Sequence, residues 1–251
     1  MFDATKEKVE WAERQISDLE AGFAAFLQAN PCAWESTTDP DNGSLAFAAH
    51  CPEQVPLELT LLLGEVINNL RSALDYATGE LIGIDAGTDD IKATFPTAAK
   101  QADYIARCRE IKTRRDDTRA FFMSLDAYPD GAGKSLYALD QLDITSKHIV
   151  LTPIIGVAKI GPVKLLNSNS TPASTSATLE CSMDIDGHTR LMNVSAGVSV
   201  EIDKNARPTF DIFFGDVAEF KFQQIVPTLR ILMTTARDTV RRFERFVTTR
   251  F

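Results

Sequence analysis

Three long stretches of the chain repeat apolar residues at the 3.6-residue period of an α-helix. In the first, Lys6 to Gln28, the stripe is Val9, Ile16, Leu19, Phe23, Phe26 and Leu27, and Asn30-Pro31 breaks it. The second runs from Pro56 to Ile82, with proline at its start and Gly83 as the expected stop. One of its faces carries Leu59, Leu62, Leu63, Val66, Leu70, Ala73, Leu74, Ala77 and Leu81, and the opposite face carries Glu65, Asn68, Asn69, Arg71, Ser72, Asp75 and Tyr76. The third, Gln224 to Thr248, repeats Ile225, Leu229, Leu232, Met233, Val240, Phe243, Phe246 and Val247. Shorter helices are predicted over Ala99 to Thr113, Asp116 to Leu125 and Gly133 to Ser146.

The remaining patterns are β-like. Ala33 to Thr38 and Leu45 to Cys51 flank the turn-rich Asp39-Pro40-Asp41-Asn42-Gly43, as in a β-hairpin or an extended loop. Beyond Ile154 the segments Val157 to Leu166, Ala177 to Ile185, Thr189 to Val194, Val198 to Ile202 and Thr209 to Phe214 suggest an antiparallel meander, with a tight turn at Asp186-Gly187. Asn167 to Thr178, rich in Ser, Thr and Asn, reads as a mobile loop. The expected fold class is α+β: a layer of long amphipathic helices and an antiparallel sheet in the C-terminal half. It is expected as one compact unit, with a mainly helical half (1–153), a β-rich insertion (154–219) and a closing helix (220–251).

Composition narrows the class. Hydrophobic residues at 44% and charged residues at 24% are values of a globular chain with a sizeable core. No apolar run reaches the roughly 18 residues of a spanning helix, and Met1 to Glu10 is charged, so a cytoplasmic protein without a membrane partner is expected. Cys32, Cys51, Cys108 and Cys181 form no CxxC pair, which removes the usual zinc and thioredoxin-type readings. Four reduced, mostly buried thiols follow, with no metal and no cofactor.

A net charge of −9 opposes a general nucleic-acid footprint. Residues 220–251, however, hold seven basic side chains against two acidic ones, so this segment is +5 and the remainder −14. Such a helix either pairs with an acidic body or offers a local track for a polyanion.

Gly131-Ala132-Gly133-Lys134-Ser135 has the ending of a phosphate-binding loop, but Tyr128 stands where that motif needs glycine and no buried strand precedes it. A helix entry fits better. Of the three histidines, His50 neighbours Cys51 in an expected strand, where adjacent side chains point apart, and His188 lies in a turn. His148 follows Asp140, Asp143, Thr145 and Lys147.

Leu63 to Tyr76, with Asn69-Leu70-Arg71-Ser72-Ala73-Leu74-Asp75-Tyr76 at its end, resembles the pattern G-[DE]-x-x-[HN]-N-L-R-S-A-L-D-H of a widespread family of uncharacterised bacterial proteins. Phe95-Pro96-Thr97 resembles that family's F-P-[IT], and Asp140 to His148 resembles its D-K-H helix end. A β-rich half and a closing helix follow in the same order. The family implies no activity. Two positions depart from it: Tyr76 stands for histidine, and Ser146 for aspartate.

With histidine at position 76 the motif would be R-x4-H, which resembles the ribonuclease motif of HEPN domains, helical modules that cleave nucleic acids or bind nucleotides and are often dimeric. There an arginine would stabilise phosphorane charge and a histidine would move protons. Tyrosine is a poor general base, so Arg71, Asp75 and His148 become the candidate catalytic set. Asn68, Asn69, Tyr76, Asp143 and Lys147 are the candidate ligand-binding residues.

Three functions stay open. One is a binding or interaction protein for a small ligand or a protein partner, with a polar helix site around Arg71 and Asp75. Another is an HEPN-like metal-independent ribonuclease or nucleotide-processing enzyme acting on RNA or a nucleotide in a defence or toxin system. The last is a structural homo-oligomer, such as a homodimer. Against all three stands a purely architectural polar network, in which Arg71 pairs with Asp75 one turn away and Lys147 and His148 neutralise a helix end.

Overall fold

The computed structural model describes the chain except for residues 39–44, 52, 89–91, 149–150, 160–162, 168–171, 178–181, 184–188, 191–197 and 203–208. The fold is α+β, and its residues cluster into two units. The first comprises Met1–Glu20, Glu58–Leu151 and Val226–Phe251; the second comprises Ala21–Leu57 and Thr152–Ile225.

Six helices build the first unit: α1 (Asp3–Ala29, up to Glu20), α2 (Leu57–Ala86, from Glu58), α3 (Gln101–Glu110), α4 (Asp116–Met123), α5 (Lys134–His148) and α6 (Ile225–Arg250, from Val226). The predicted stripes are its core. Val9, Ile16 and Leu19 of α1, Leu63, Val66, Leu70 and Leu74 of α2, and Leu229, Val240 and Phe243 of α6 are all buried, whereas Leu59 and Leu62 are only half-buried. Phe243 meets Phe2, Phe121 and Phe122 edge-on, at centroid distances of 6.3, 4.9 and 5.7 Å, a favourable aromatic arrangement.

Polar groups fix how α1 lies on α2. Phe2 N–H and the Thr5 hydroxyl donate to Glu80, Lys8 donates to Asn69, and Gln15 donates to Glu65. Rising numbers on one helix meet falling numbers on the other, so the two run antiparallel. On α1 the partners of α6 follow the same rule: Lys6 pairs with Glu244, Glu13 with Arg237 and Glu20 with Arg230. Two arginines of the basic closing helix, Arg230 and Arg237, thus pair with acids of α1, and Lys6 of α1 pairs with an acid of the closing helix.

One boundary differs from expectation. Gly83 does not stop α2, which continues to Ala86. The stop is Gly87 at φ +68, where Thr88 N–H donates to the Gly83 carbonyl and Gly87 N–H to that of Ile84. At the entry to α5, a Cβ on Gly131 or Gly133 would fall 2.1 Å from the Asp126 carbonyl oxygen or 2.2 Å from that of Leu125. Those glycines serve close backbone approach, not a phosphate cradle.

The second unit holds the strands. β1 (Ala33–Thr38) and β2 (Leu45–His50) form the predicted antiparallel pair, in register Ala33↔His50 to Thr38↔Leu45. Cys32 and Cys51, immediately outside that ladder, are joined as a disulfide. This corrects the expectation of four reduced thiols: Cys108 is a buried free thiol, and Cys181 lies outside the described residues.

The remaining strands are β3 (Pro153–Lys159), β4 (Val163–Asn167), β5 (Pro172–Ala177), β6 (Ser182–Met183), β7 (Thr189–Arg190), β8 (Val198–Ile202) and β9 (Thr209–Phe214). Their order is nested, not a meander: β3 pairs with β9, β4 lies between β5 and β8, and β6 pairs with β7. Residues 172–177, expected in a mobile loop, are strand β5. The expected turn at Asp186-Gly187 lies outside the described residues, as does His188.

Candidate functional site

The polar face of α2 is where the candidate residues gather, and Arg71 is its centre. A helical wheel sets Arg71 opposite the leucine stripe, yet its side chain is only 5% exposed. Two elements meet it: the segment Phe95-Pro96-Thr97, through the Phe95 carbonyl, and α5, through Asp140. All three guanidinium nitrogens are engaged. Nε donates to Asp140 Oδ1 at 2.6 Å, Nη1 to Asp75 Oδ1, and Nη2 to the Phe95 carbonyl at 3.1 Å.

The same partners bind one another. Asp75 Oδ1 also accepts the Phe95 N–H at 2.7 Å, and Asp140 Oδ2 accepts the Thr97 hydroxyl at 2.7 Å. Pro96, having no N–H, leaves no donor to satisfy between them. Burial by itself lowers the Arg71 pKa, but the charges of Asp75 and Asp140 outweigh it, and the net shift is upward. The guanidinium stays a cation, held by two carboxylates.

The candidate set divides around this knot. Asp143, three residues beyond Asp140 and also buried, accepts from Asn68 at 3.3 Å and from Lys147 at 2.6 Å. Asn69 donates to Gln15 at 2.8 Å and accepts from Lys8 at 2.9 Å. Lys8 also stands 5.6 Å from the centre of the Tyr76 ring, a cation–π distance.

His148 is not part of it. It is exposed at the end of α5, eight residues beyond Asp140, a rise of roughly 12 Å along the helix axis. Arg71 and Asp75 are therefore brought together, and His148 is placed apart from them. Sequence reasoning left Asp140, Thr97 and the Phe95 backbone out of the site; the F-P-T motif was the available signal for the last two.

Two depressions open on this face of α2. The larger, about 1030 Å³, is lined by Asp75, Tyr76, Gly79, Glu80 and Gly83 of α2, with Ala4 on one side and Lys92 to Thr94 on the other. The smaller, about 440 Å³, lies among Leu61, Gly64, Glu65, Asn68 and Asn69 of α2 and Ser146 and Lys147 of α5. The predicted ligand-binding residues thus fall in two places: Tyr76 in the larger, Asn68, Asn69 and Lys147 in the smaller. In the smaller one the polar side chains are tied to each other or to α1, so its surface is a closed hydrogen-bonded network.

Among the described residues no group of three or more His, Cys, Asp or Glu side chains is placed to hold a metal ion, and no helix is long and apolar enough to cross a membrane. On α6, Arg230 and Arg237 are paired with α1, Arg241 with Asp238, and Arg242 donates to the Ser124 carbonyl. No protein-family model, curated protein or solved structure matches the chain.

Proposed function

We propose that this chain is a binding protein, that the larger groove beside Asp75 is its ligand site, and that Arg71 is the frame holding Asp75 in place. The observation that carries this reading is the engagement of every Arg71 nitrogen below the surface, next to a groove large enough for a small organic molecule. A phosphoryl-transfer arginine must instead be free to meet developing charge on substrate. Arg71 is spent on Asp140, Asp75 and Phe95, and the nearest histidine candidate stands apart. The ribonuclease alternative has correspondingly less support, and the pairing of α6 with α1 weakens the polyanion track.

The test is a fragment screen by protein-observed NMR on the whole chain. Hits are expected to shift resonances of Tyr76, Gly79 and Glu80, and to be lost in Ala4→Trp, which fills the groove from an exposed rim position. Hits that map elsewhere, or that bind Ala4→Trp as well as wild type, would sink the assignment. Absence of RNA cleavage that depends on Arg71 is the companion expectation.

The Cys32–Cys51 disulfide supports a second reading, of place. Disulfides persist in oxidising compartments and are rare in the cytosol, so the bond favours an oxidising location over the cytoplasm expected from composition. Alkylation of the protein taken from its native host, followed by peptide mass mapping, tests this. Modification of Cys32 and Cys51 without prior reduction would return the chain to the cytoplasm.

A further inference from the structure

The groove's fixed polar element decides what chemistry it accepts. Asp75 is the salt-bridge partner of Arg71, hence a carboxylate, and a carboxylate accepts hydrogen bonds without donating any. Its Oδ1 already takes two donors, Arg71 Nη1 and the Phe95 N–H. Its Oδ2 accepts from no described residue, and the side chain is 32% exposed in the lining of the groove. Asp75 is thus anchored by one oxygen and presents the other.

The rest of the lining holds neutral donors, the hydroxyls of Tyr76, Thr88 and Thr94, each of which accepts as well as donates and so favours neither sign of head group. Glu80, the second carboxylate, gives its oxygens to the Phe2 N–H and the Thr5 hydroxyl. Ala4, Gly79, Gly83, Ile84 and Ala93 offer apolar surface and bare helix backbone. Lys92 is exposed at the rim, and the Met1 amine is bonded to Asp3.

Resting on the groove reading, we infer that the site selects small organic molecules with an apolar body and a hydrogen-bond donor at one end, an ammonium above all. The donor seats on Asp75 Oδ2 and the body lies along the glycine-bearing face of α2. A carboxylate or phosphate head would meet the Asp75 lone pairs with its own. Charge-assisted hydrogen bonds are roughly twice as strong as neutral ones, which puts ammonium ahead of hydroxyl.

Three probes of one chain length separate the heads: hexylammonium, hexanol and hexanoate, titrated by NMR into wild type, Asp75→Asn, Lys92→Ala and Ala4→Trp. Wild type is expected to bind hexylammonium roughly tenfold more tightly than hexanoate, with hexanol between. Asp75→Asn, which both donates and accepts, is expected to bring the three within about threefold. Lys92→Ala should keep the wild-type order; an order that changes there would show the rim cation, not Asp75, setting the preference, and overturn the inference.

Equal binding of hexanoate and hexylammonium to wild type, lost in Ala4→Trp, would likewise overturn the donor preference while the groove stands as a site. Binding of all three that Ala4→Trp does not alter, or no binding at all, would remove the groove itself and the inference with it.

Discussion

Two carboxylates on α5, Asp140 and Asp143, are three residues apart, both buried, and each paired with a cation, yet the pairs are different objects. Asp140 faces Arg71, whose side chain is 5% exposed and held from three directions. Asp143 faces Lys147, whose side chain is 53% exposed and reaches back over one turn of the same helix. The first pair ties α2, the F-P-T segment and α5 together. The second is mostly local, with Asn68 as its link to α2. The charges are alike; what differs is how much is stranded when one partner is lost.

Removing the buried partner should have the largest effect. Arg71→Ala leaves Asp140 and Asp75 without their cation and is expected to destabilise the fold by about 3–5 kcal/mol, read as the shift in the urea midpoint. The double variant Arg71→Met, Asp140→Leu removes the stranded charge on α5 as well and should recover at least half of that loss. If it does not, the knot contributes contacts that charge alone does not describe.

An alkaline titration sharpens the contrast by leaving the Arg71 knot untouched. Elsewhere in the helical unit, burial pushes the Cys108 thiol from 9.0 up to about 11, and burial likewise raises the Tyr104 hydroxyl. Both stay protonated in the folded chain while the unfolded chain ionises, so the stability they hold below pH 9 falls as the pH rises towards 11, by about 2 kcal/mol for the thiol. Arg71, shifted upward, stays charged across this window. Wild type and Arg71→Ala should therefore show the same alkaline slope, and a difference would tie the knot to the Tyr104 and Cys108 region.

Lys147→Ala tests the weaker pair. Because the ammonium is half exposed and screened, a loss of roughly 0.5–1 kcal/mol is expected, and it should shrink in high salt, which the Arg71→Ala effect should not. His148→Ala should be smallest, within about 0.5 kcal/mol, as for an exposed residue away from the core. A loss as large as that of Arg71→Ala would restore His148 to the site.

The elements themselves were readable. Apolar period gave the three long helices within a few residues, and the β-like runs on either side of Asp39 to Gly43 gave the antiparallel pair of β1 and β2, while the turn expected between them lies outside the described residues. The burial of Arg71 was not readable, because a wheel reports which side faces away from the leucines and says nothing of what covers that side. Gly79, Gly83 and Gly87 recur every four residues, and only the left-handed backbone at Gly87 tells which of them ends the helix. Strand order escaped for a related reason: β3 and β9 pair across more than fifty residues, and alternation within a strand carries no address for its partner. The disulfide was equally hidden, since spacing alone cannot say that Cys32 and Cys51 stand at the foot of one ladder.

Apolar contact by itself leaves two helices free to slide past one another. A shift of α5 by one turn, about 5.4 Å along α2, would part Asn68 from Asp143. It would also carry Asp140 away from Arg71 and leave a guanidinium without one of its carboxylates in a space closed to water. Asp75 travels with Arg71 on the same helix, so it cannot report such an error; Asp140, 69 residues away in the chain, can. The ion pair thus acts as a vernier mark between two smooth rods, accepting a single alignment of α5 on α2 and with it one position for the F-P-T segment that closes over both.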